Sequence, residues 1–569
     1  MKDLIRFLKP HGKKMFVGFI IKFTGTVMDL LLPWILAYMI DTVAPTKDIK
    51  NVFLFGAVMV ICALTAVLTN VEANRMASAV ARDTTRQIRH RLFEKISYLS
   101  CKEIDDFSIP SLESRMTADT YNVHNMIGMM QRIGIRAPIL LIGGICVTLT
   151  LEPVLTLILL ACLPIMALIT ALVSKRGINL YTKQQQSADN LIRIVRENVS
   201  GIRVIKALSK TDYEINRFDI ANKNVVSAEK GAANAMAITN PSMNFILNCA
   251  LAFVIIAGAY RVNSGLSTTG KIIAFLSYFT IILNALLTLT RIFTNYTKAI
   301  ASMKRISDVL GSENELKIIK DDNCRNNSHI EFENVSFSYC KRKNNVENIS
   351  FSLKRGESLG IIGATGSGKT TVISLLMRLY DADEGKILIN GKDIRSIEFN
   401  ALYQMFGVVF QSDALFSDTI YNNIDFKRNL DEKNIINAAK IAQADEFIES
   451  VNDKYLYKLS AKGTNLSGGQ KQRVLLARAV AKNPEILILD DSSSALDYKT
   501  DAMFRKALKK NLNGVTCVII AQRVSSIKDC SKIMVLDGGK MIGLGTHEQL
   551  LKKCSVYKNI ADLQMGGNK

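Results

Sequence analysis

Cysteines at paired spacing are missing from this sequence. The ten cysteines are scattered singly, which excludes C-x-x-C zinc sites, thioredoxin chemistry and a disulfide framework. Cys62, Cys146, Cys162 and Cys249 lie inside apolar runs, where they serve as small hydrophobes. Acidic charge is also scarce, with 51 Asp and Glu against 72 Lys and Arg, a formal net charge of +21. Such an excess raises the question of a nucleic-acid partner, but much of it abuts apolar runs. Arg75, Arg82, Arg86, Arg89 and Arg91 follow the second run, and Lys175 and Arg176 follow the fourth. That is the pattern of positive charge left on the cytoplasmic side of a membrane. The charge reads as orientation, and no nucleic-acid partner is expected. The N-terminus has Lys9, Lys13 and Lys14 before an apolar stretch but no small-residue cleavage site, so the stretch reads as a retained first span.

What is present is apolar length. In 569 residues, 48% are hydrophobic, and mean hydropathy is +0.16. Six apolar segments stand out at 16–40, 52–72, 134–151, 153–174, 243–262 and 271–293. Each is long enough to cross a hydrocarbon core of about 30 Å, which takes about 20 helical residues. Short joints link them in pairs, and the third-to-fourth joint is barely more than Glu152-Pro153. The two long connections, 73–130 and 175–240, are polar and helical in pattern and belong with both termini in the cytoplasm. As continuing helices, about 25 residues of them reach about 38 Å below the bilayer. Turns near 109–120 and 211–218 are then expected to touch a cytoplasmic domain. Lys22 and Asp29 lie within the first segment, seven residues apart and so on one helix face. Ionisable groups at that depth usually face a bundle interior or a cavity, which makes Asp29 a candidate for lining a substrate path, while Lys22 can snorkel.

Polar sequence at 311–328 marks the boundary between a membrane domain, 1–310, and a second domain, 329–569. Short β-rich runs at 330–339, 349–353, 358–362, 386–389, 406–410, 486–489 and 516–520 alternate there with helical stretches, as in an α/β nucleotide-binding fold. Gly363-Ala364-Thr365-Gly366-Ser367-Gly368-Lys369-Thr370 is a complete phosphate-binding loop, set between an apolar strand and a helical run that opens at Thr371. Its glycines let backbone N–H groups face phosphates, Lys369 supplies a point charge and the Thr370 hydroxyl suits Mg²⁺. This predicts ATP or GTP binding. Ile486–Leu489 ends in Asp490, the expected Mg²⁺ partner, and is preceded by Leu466-Ser467-Gly468-Gly469-Gln470.

That pentapeptide resembles the signature of ABC transporters, and nearly the whole chain is similar to an ABC exporter half. The fold implied is an all-α six-helix transmembrane domain with long cytoplasmic helical extensions, followed by an α/β P-loop NTPase cassette. The resemblance implies ATP and Mg²⁺ as cofactors, membrane lipid and a transported small molecule as partners, and a multi-pass location in the plasma membrane. It places Tyr339 against adenine, Gln411 near Mg²⁺, and Ser494-Ala495-Leu496-Asp497 in a loop that communicates across a dimer. Two cassettes of this family close head-to-tail, so Leu466, Ser467, Gly468, Gly469 and Gln470 would meet ATP held by the partner's loop.

Two residues depart from the family. Where the general base is usually Glu, this chain has Asp491, whose carboxylate is withdrawn by about 1.5 Å, one C–C bond. Where a His usually bridges base and γ-phosphate, it has Gln522, which can hydrogen-bond but carries no charge. Together they resemble the impaired site of a heterodimeric exporter, whose second subunit would be another ABC half. The stretch 460–465 also lacks the acidic residues many exporters carry there. The expected function is ATP-driven multidrug-type export of hydrophobic or amphipathic compounds. Lipid or peptide transport, and an ATP-gated regulator that does not pump, stay open.

Overall fold

The computed structural model describes residues 2–312, 316–319, 328–341, 343–492 and 495–565, apart from side chains at some helix positions within 167–181, 235–240 and 287–294. Most of the expected linker and Ser494 lie outside the described residues. The chain divides into two compact units: Met1–Tyr98 with Ile109–Ser312, and Leu99–Ser108 with Glu313–Lys569.

The first unit is helical. Its long helices are α1 (Gly12–Tyr38), α2 (Ile49–Ser97), and, after the short α3 (Cys101–Phe107) that belongs to the second unit, α4 (Thr120–Leu151), α5 (Pro153–Ala207), α6 (Thr211–Ala237), α7 (Thr239–Asn263) and α8 (Thr269–Leu310). By length and composition, five helices among the described residues can cross a membrane, and the apolar Pro153–Met166 opens α5 as a shorter sixth. Phe53, Leu54, Ile61, Leu64 and Leu68 of α2 are exposed, while Ala66, Ala73, Ala77 and Ala81 are buried. Large residues thus face outward and small ones line the helix contacts, the arrangement expected where lipid is the solvent. At Gly25 of α1 a Cβ would lie 2.4 Å from the Thr69 hydroxyl of α2, so only glycine allows this approach.

The turns between spans are set by local chemistry. Glu152 is extended (φ −150°, ψ 90°), as a residue before proline prefers, and Pro153 starts α5 without needing an N–H. Glu152 is buried and accepts a 3.0 Å hydrogen bond from Arg261 Nε of α7. The Asp41 carboxylate caps the start of α8, accepting from the Thr268 hydroxyl at 2.5 Å, Gly270 N at 2.7 Å and Lys271 N at 3.1 Å.

The second unit carries a ten-stranded sheet, β1 (Ile330–Phe337), β2 (Val346–Leu353), β3 (Ser358–Gly363), β4 (Glu384–Ile389), β5 (Lys392–Asp393), β6 (Phe406–Val409), β7 (Ile486–Asp490), β8 (Thr516–Ile520), β9 (Lys532–Asp537) and β10 (Lys540–Gly545), in the order β5-β4-β1-β2-β10-β9-β3-β8-β7-β6. Strands β9, β3, β8, β7 and β6 are parallel. Every residue of β7 is buried, as a strand covered on both faces requires. The seven β-rich runs of the sequence are all strands; β5, β9 and β10 are additional. Helices α9 (Lys369–Leu376) and α10 (Gly468–Val480) follow the phosphate loop and open the signature helix respectively.

The segment that joins the second unit is Leu99–Ser108, whereas the turns at 109–120 and 211–218 belong to the helical unit. Ser100 and Glu103 form a reciprocal capping box that starts α3, and Ser108 at φ 61° ends it. Tyr380 donates a 2.6 Å hydrogen bond to Asp105 of this helix. Apolar spacing identified long helices, but this short helix is set by a cap and a left-handed residue.

Candidate functional site

The phosphate loop leaves the C-terminal end of β3. A Cβ at Gly363 would lie 2.1 Å from Leu536 O of the neighbouring β9, so the loop departs through a gap only glycine can occupy. Gly366 (φ 82°) and Gly368 (φ 96°) are left-handed, turning the backbone into a cradle that L side chains resist. Lys369 Nζ donates to its own loop at Gly363 O (2.9 Å) and Ala364 O (2.8 Å), and burial holds its pKa below the usual lysine range. The Ser367 hydroxyl is buried with no hydrogen-bond partner among the described residues. It is a hydroxyl free to donate within the cradle.

Asp490 stands at the tip of β7, 2% exposed, and accepts a 3.1 Å hydrogen bond from the Thr370 hydroxyl at the start of α9. Burial first, then the Asp491 charge, push its pKa up, against the Thr370 hydrogen bond and the Lys369 ammonium. Thr371 is buried behind it in the first turn of α9. The cradle, the half-buried lysine, the hydroxyl–carboxylate pair and the unpartnered serine match the donor set for a nucleoside triphosphate with a hard divalent cation.

Asp491 takes a left-handed conformation (φ 50°), its N–H bonded to Ile520 O at 3.0 Å. Burial raises its pKa, while Gln522, Lys369 and Arg523 pull it down. Gln522 Nε2 donates to Asp491 Oδ2 at 2.8 Å. Gln522 is itself held from behind: Gln564 Nε2 donates to Gln522 O at 2.8 Å, and Gln564 Oε1 accepts from Val524 N at 2.8 Å. Sequence reading missed Gln564, which lies in a late helix with no motif around it.

The signature is built as a helix start. Ser467 caps α10, accepting from Gln470 N at 3.3 Å, and the Gln470 side chain accepts from Ser467 N at 2.9 Å. Leu466 N closes onto Gly463 O at 3.1 Å. A Cβ at Gly468 would meet nothing, whereas one at Gly469 would lie 3.2 Å from Ala495 O. The first turn of α10 is thus open at Gly468, with N–H groups suited to an anion. Among the described residues the signature makes no hydrogen bond to the phosphate loop. Tyr339 is 41% exposed, its ring meeting Phe337 and Tyr380 edge-on at 4.9 and 5.0 Å. Gln411 is exposed in the turn after β6. Asp497 caps the next helix, accepting from Thr500 N at 2.8 Å.

A parallel-sheet cassette with a glycine cradle, joined to a bundle of membrane-length helices, defines a membrane-bound P-loop ATPase. The family described as ABC transporter transmembrane region matches residues 15–286, and the family described as ABC transporter matches 346–494. "Uncharacterized ABC transporter ATP-binding protein YfiB" of Bacillus subtilis (strain 168) is 35% identical across 100% of this chain and 99% of its own length. "Putative multidrug export ATP-binding/permease protein YgaD" of the same organism is 33% identical across 99% of both chains. The solved "Structure of a bacterial Atm1-family ABC exporter with ATP bound" superposes with a TM-score of 0.83 at 23% identity, covering 98% of this chain and 99% of that one. The chain belongs to the ABC transporter family, and it shares the fold of that exporter, with a membrane domain fused ahead of the ATPase cassette. It is a multi-pass protein of the plasma membrane.

Proposed function

We propose that this chain is one half of a heterodimeric exporter that moves hydrophobic or amphipathic compounds out of the cytoplasm. Residues 1–310 serve as its transmembrane domain, 311–328 as linker and 329–569 as nucleotide-binding domain, with both termini cytoplasmic. ATP is held by Gly363–Thr371, with Tyr339 against the base. Thr370 and Asp490, joined by Gln411, hold Mg²⁺, which when bound offsets the charge of the phosphates.

The observation that carries the heterodimer reading is the 2.8 Å bond between Gln522 and Asp491. General-base catalysis needs a carboxylate within about 2.6–3.2 Å of the attacking water and contributes about 10²–10⁴-fold. A shortened carboxylate with one oxygen committed to a neutral amide meets that need poorly. This chain therefore retains ATP at its own loop and lends Ser467, Gly468 and Gly469 to a competent site on a different subunit. The multidrug name of the 33%-identical relative supports the substrate class.

The test is ATP turnover by the purified full-length chain, alone and reconstituted with the ABC half that co-purifies from its native membrane. Little turnover alone and vigorous turnover in the complex is the expected result. Vigorous turnover by a pure homodimer overturns it.

A further inference from the structure

The helical unit contains an open cavity of about 640 Å³, lined by residues of α1, α2, α4 and α8. Three cations line it, Lys22, Arg132 and Arg136, against a single carboxylate among the described lining residues, Asp29. The charges are not balanced pair by pair. Asp29 is taken by Arg136 at 2.9 Å. Lys22, only 3% exposed, donates to neutral Asn74 at 3.0 Å. Arg132 Nε donates to Gly128 O of its own helix at 3.1 Å. A neutral amide and a backbone carbonyl satisfy hydrogen bonds but cancel no charge, so among the described lining residues three cations face one carboxylate, an excess of two positive charges.

Depth makes this costly. Lys22 lies 16 residues before the end of α1, and Arg136 lies 15 before the end of α4. At 1.5 Å per residue both are about 22–24 Å from those positions, on helices long and apolar enough to cross a membrane. Ionisable groups there are retained where they meet a substrate or a counter-charge. The remaining wall is partly apolar, with Ile133, Leu140 and Ile281 beside the cations and the neutral polar side chains of Asn284 and Thr288 among them.

We propose that this cavity selects amphiphiles with an anionic head, a carboxylate, sulfonate or phosphate, attached to an apolar body. Lys22 and Arg132 engage the head, and the aliphatic wall takes the body. Cationic amphiphiles are disfavoured by the same two charges. The inference rests on the exporter reading, and names the substrate class for it.

The test uses the full-length protein, in the assembly it forms in its native membrane, reconstituted in lipid nanodiscs. The soluble probes are a dansyl fatty acid, its methyl ester and the dansyl alkylamine of equal chain length. A membrane-borne pair, fluorescent phosphatidylglycerol against phosphatidylcholine, distinguishes a lipid source from a dissolved one. In at least one set the anion is expected to bind at least about tenfold tighter than its neutral or zwitterionic counterpart. Lys22→Gln and Arg132→Gln bring the anion down to the ester's affinity and leave ester binding unchanged. Arg132→Lys retains the preference, and Asp29→Asn, which frees Arg136, strengthens anion binding; a merely structural role moves acid and ester together. Equal binding of acid and ester, tighter binding of the amine, or a preference that survives the Lys22→Gln, Arg132→Gln double variant overturns the proposal. ATP-driven flux is read separately in vesicles. Pumping of the amine but not the acid leaves export standing and removes the anion preference. Preferential anion binding without ATP-driven flux of any probe removes export and leaves the site.

Discussion

Gln522 and Asp491, the two residues that depart from the family pattern, are hydrogen-bonded to each other at 2.8 Å. They are 31 positions apart in sequence, at the ends of neighbouring parallel strands β7 and β8. On the impaired-site reading proposed above, the two residues act through one shared contact. Restoring both residues together tests that. Asp491→Glu with Gln522→His is expected to raise the steady-state ATP turnover of the purified chain by about 10²-fold or more, within the range a positioned general base supplies. Either substitution alone gives less, because each leaves one half of the altered contact in place. No gain in phosphate release from the double variant counts against the impaired-site reading.

A second consequence concerns the signature. Gly469 lies in the first turn of α10, where a Cβ would sit 3.2 Å from Ala495 O. Gly469→Val crowds that approach and covers N–H groups suited to an anion. If the signature serves the partner's nucleotide, turnover by the heterodimer falls severely while photo-crosslinking of azido-ATP to this chain's own loop persists. Loss of crosslinking to this chain, with turnover intact, would reverse the assignment.

The site was legible wherever chemistry demands a contiguous string. The glycines of 363–368, Lys369 and Thr370 can be read because backbone N–H groups must be presented in sequence order. Asp490 needed its apolar strand and the signature ahead of it. What sequence hid is held together across the chain: the Gln564 brace on Gln522, spanning 42 residues, and the Tyr380–Asp105 bond, spanning 275. Span lengths came from hydropathy, but the cationic cavity joins residues of four helices and has no local signal. Hydropathy singles out Asp29 within the first apolar run, whereas Arg132 stands just before the third run and Arg136 at its start, where cations read as flanking charge.

Arg378 gives a prediction about stability. It is fully buried, donates to Asp381 at 2.9 Å, Lys317 O at 2.7 Å and Arg395 O at 3.3 Å, and lies 4.7 Å over the Phe399 ring. Removing one partner of a buried charged pair costs about 3–5 kcal/mol. Arg378→Ala is expected to lower the thermal transition of the cassette by several degrees. Arg378→Lys should recover little, since a point charge cannot reach acceptors in three directions or stack on the ring. A Tm for Arg378→Lys equal to that of the native chain would refute this.

Asp490 sets function against stability. Its folded pKa is raised above the ordinary 3.8, mainly by burial. The group's contribution to folding is therefore complete below the unfolded value and is lost as pH rises through the folded one. At neutral pH, before nucleotide is added, the buried carboxylate is a net cost. Asp490→Asn keeps an oxygen to accept from the Thr370 hydroxyl and removes the charge, so it is expected to raise the Tm of the nucleotide-free chain at pH 7. It should also flatten the loss of stability between acid and neutral pH. The same substitution leaves a divalent cation without its carboxylate. Ligand at 100 times its Kd stabilises a protein by about 2.7 kcal/mol, and most of that MgATP-induced rise in Tm should disappear. Differential scanning fluorimetry of the full chain, with and without MgATP and across pH, reads both effects in one experiment. A variant less stable than the native chain without nucleotide, yet stabilised to the same extent by MgATP, would show that Asp490 belongs to the packing of β7 rather than to the metal.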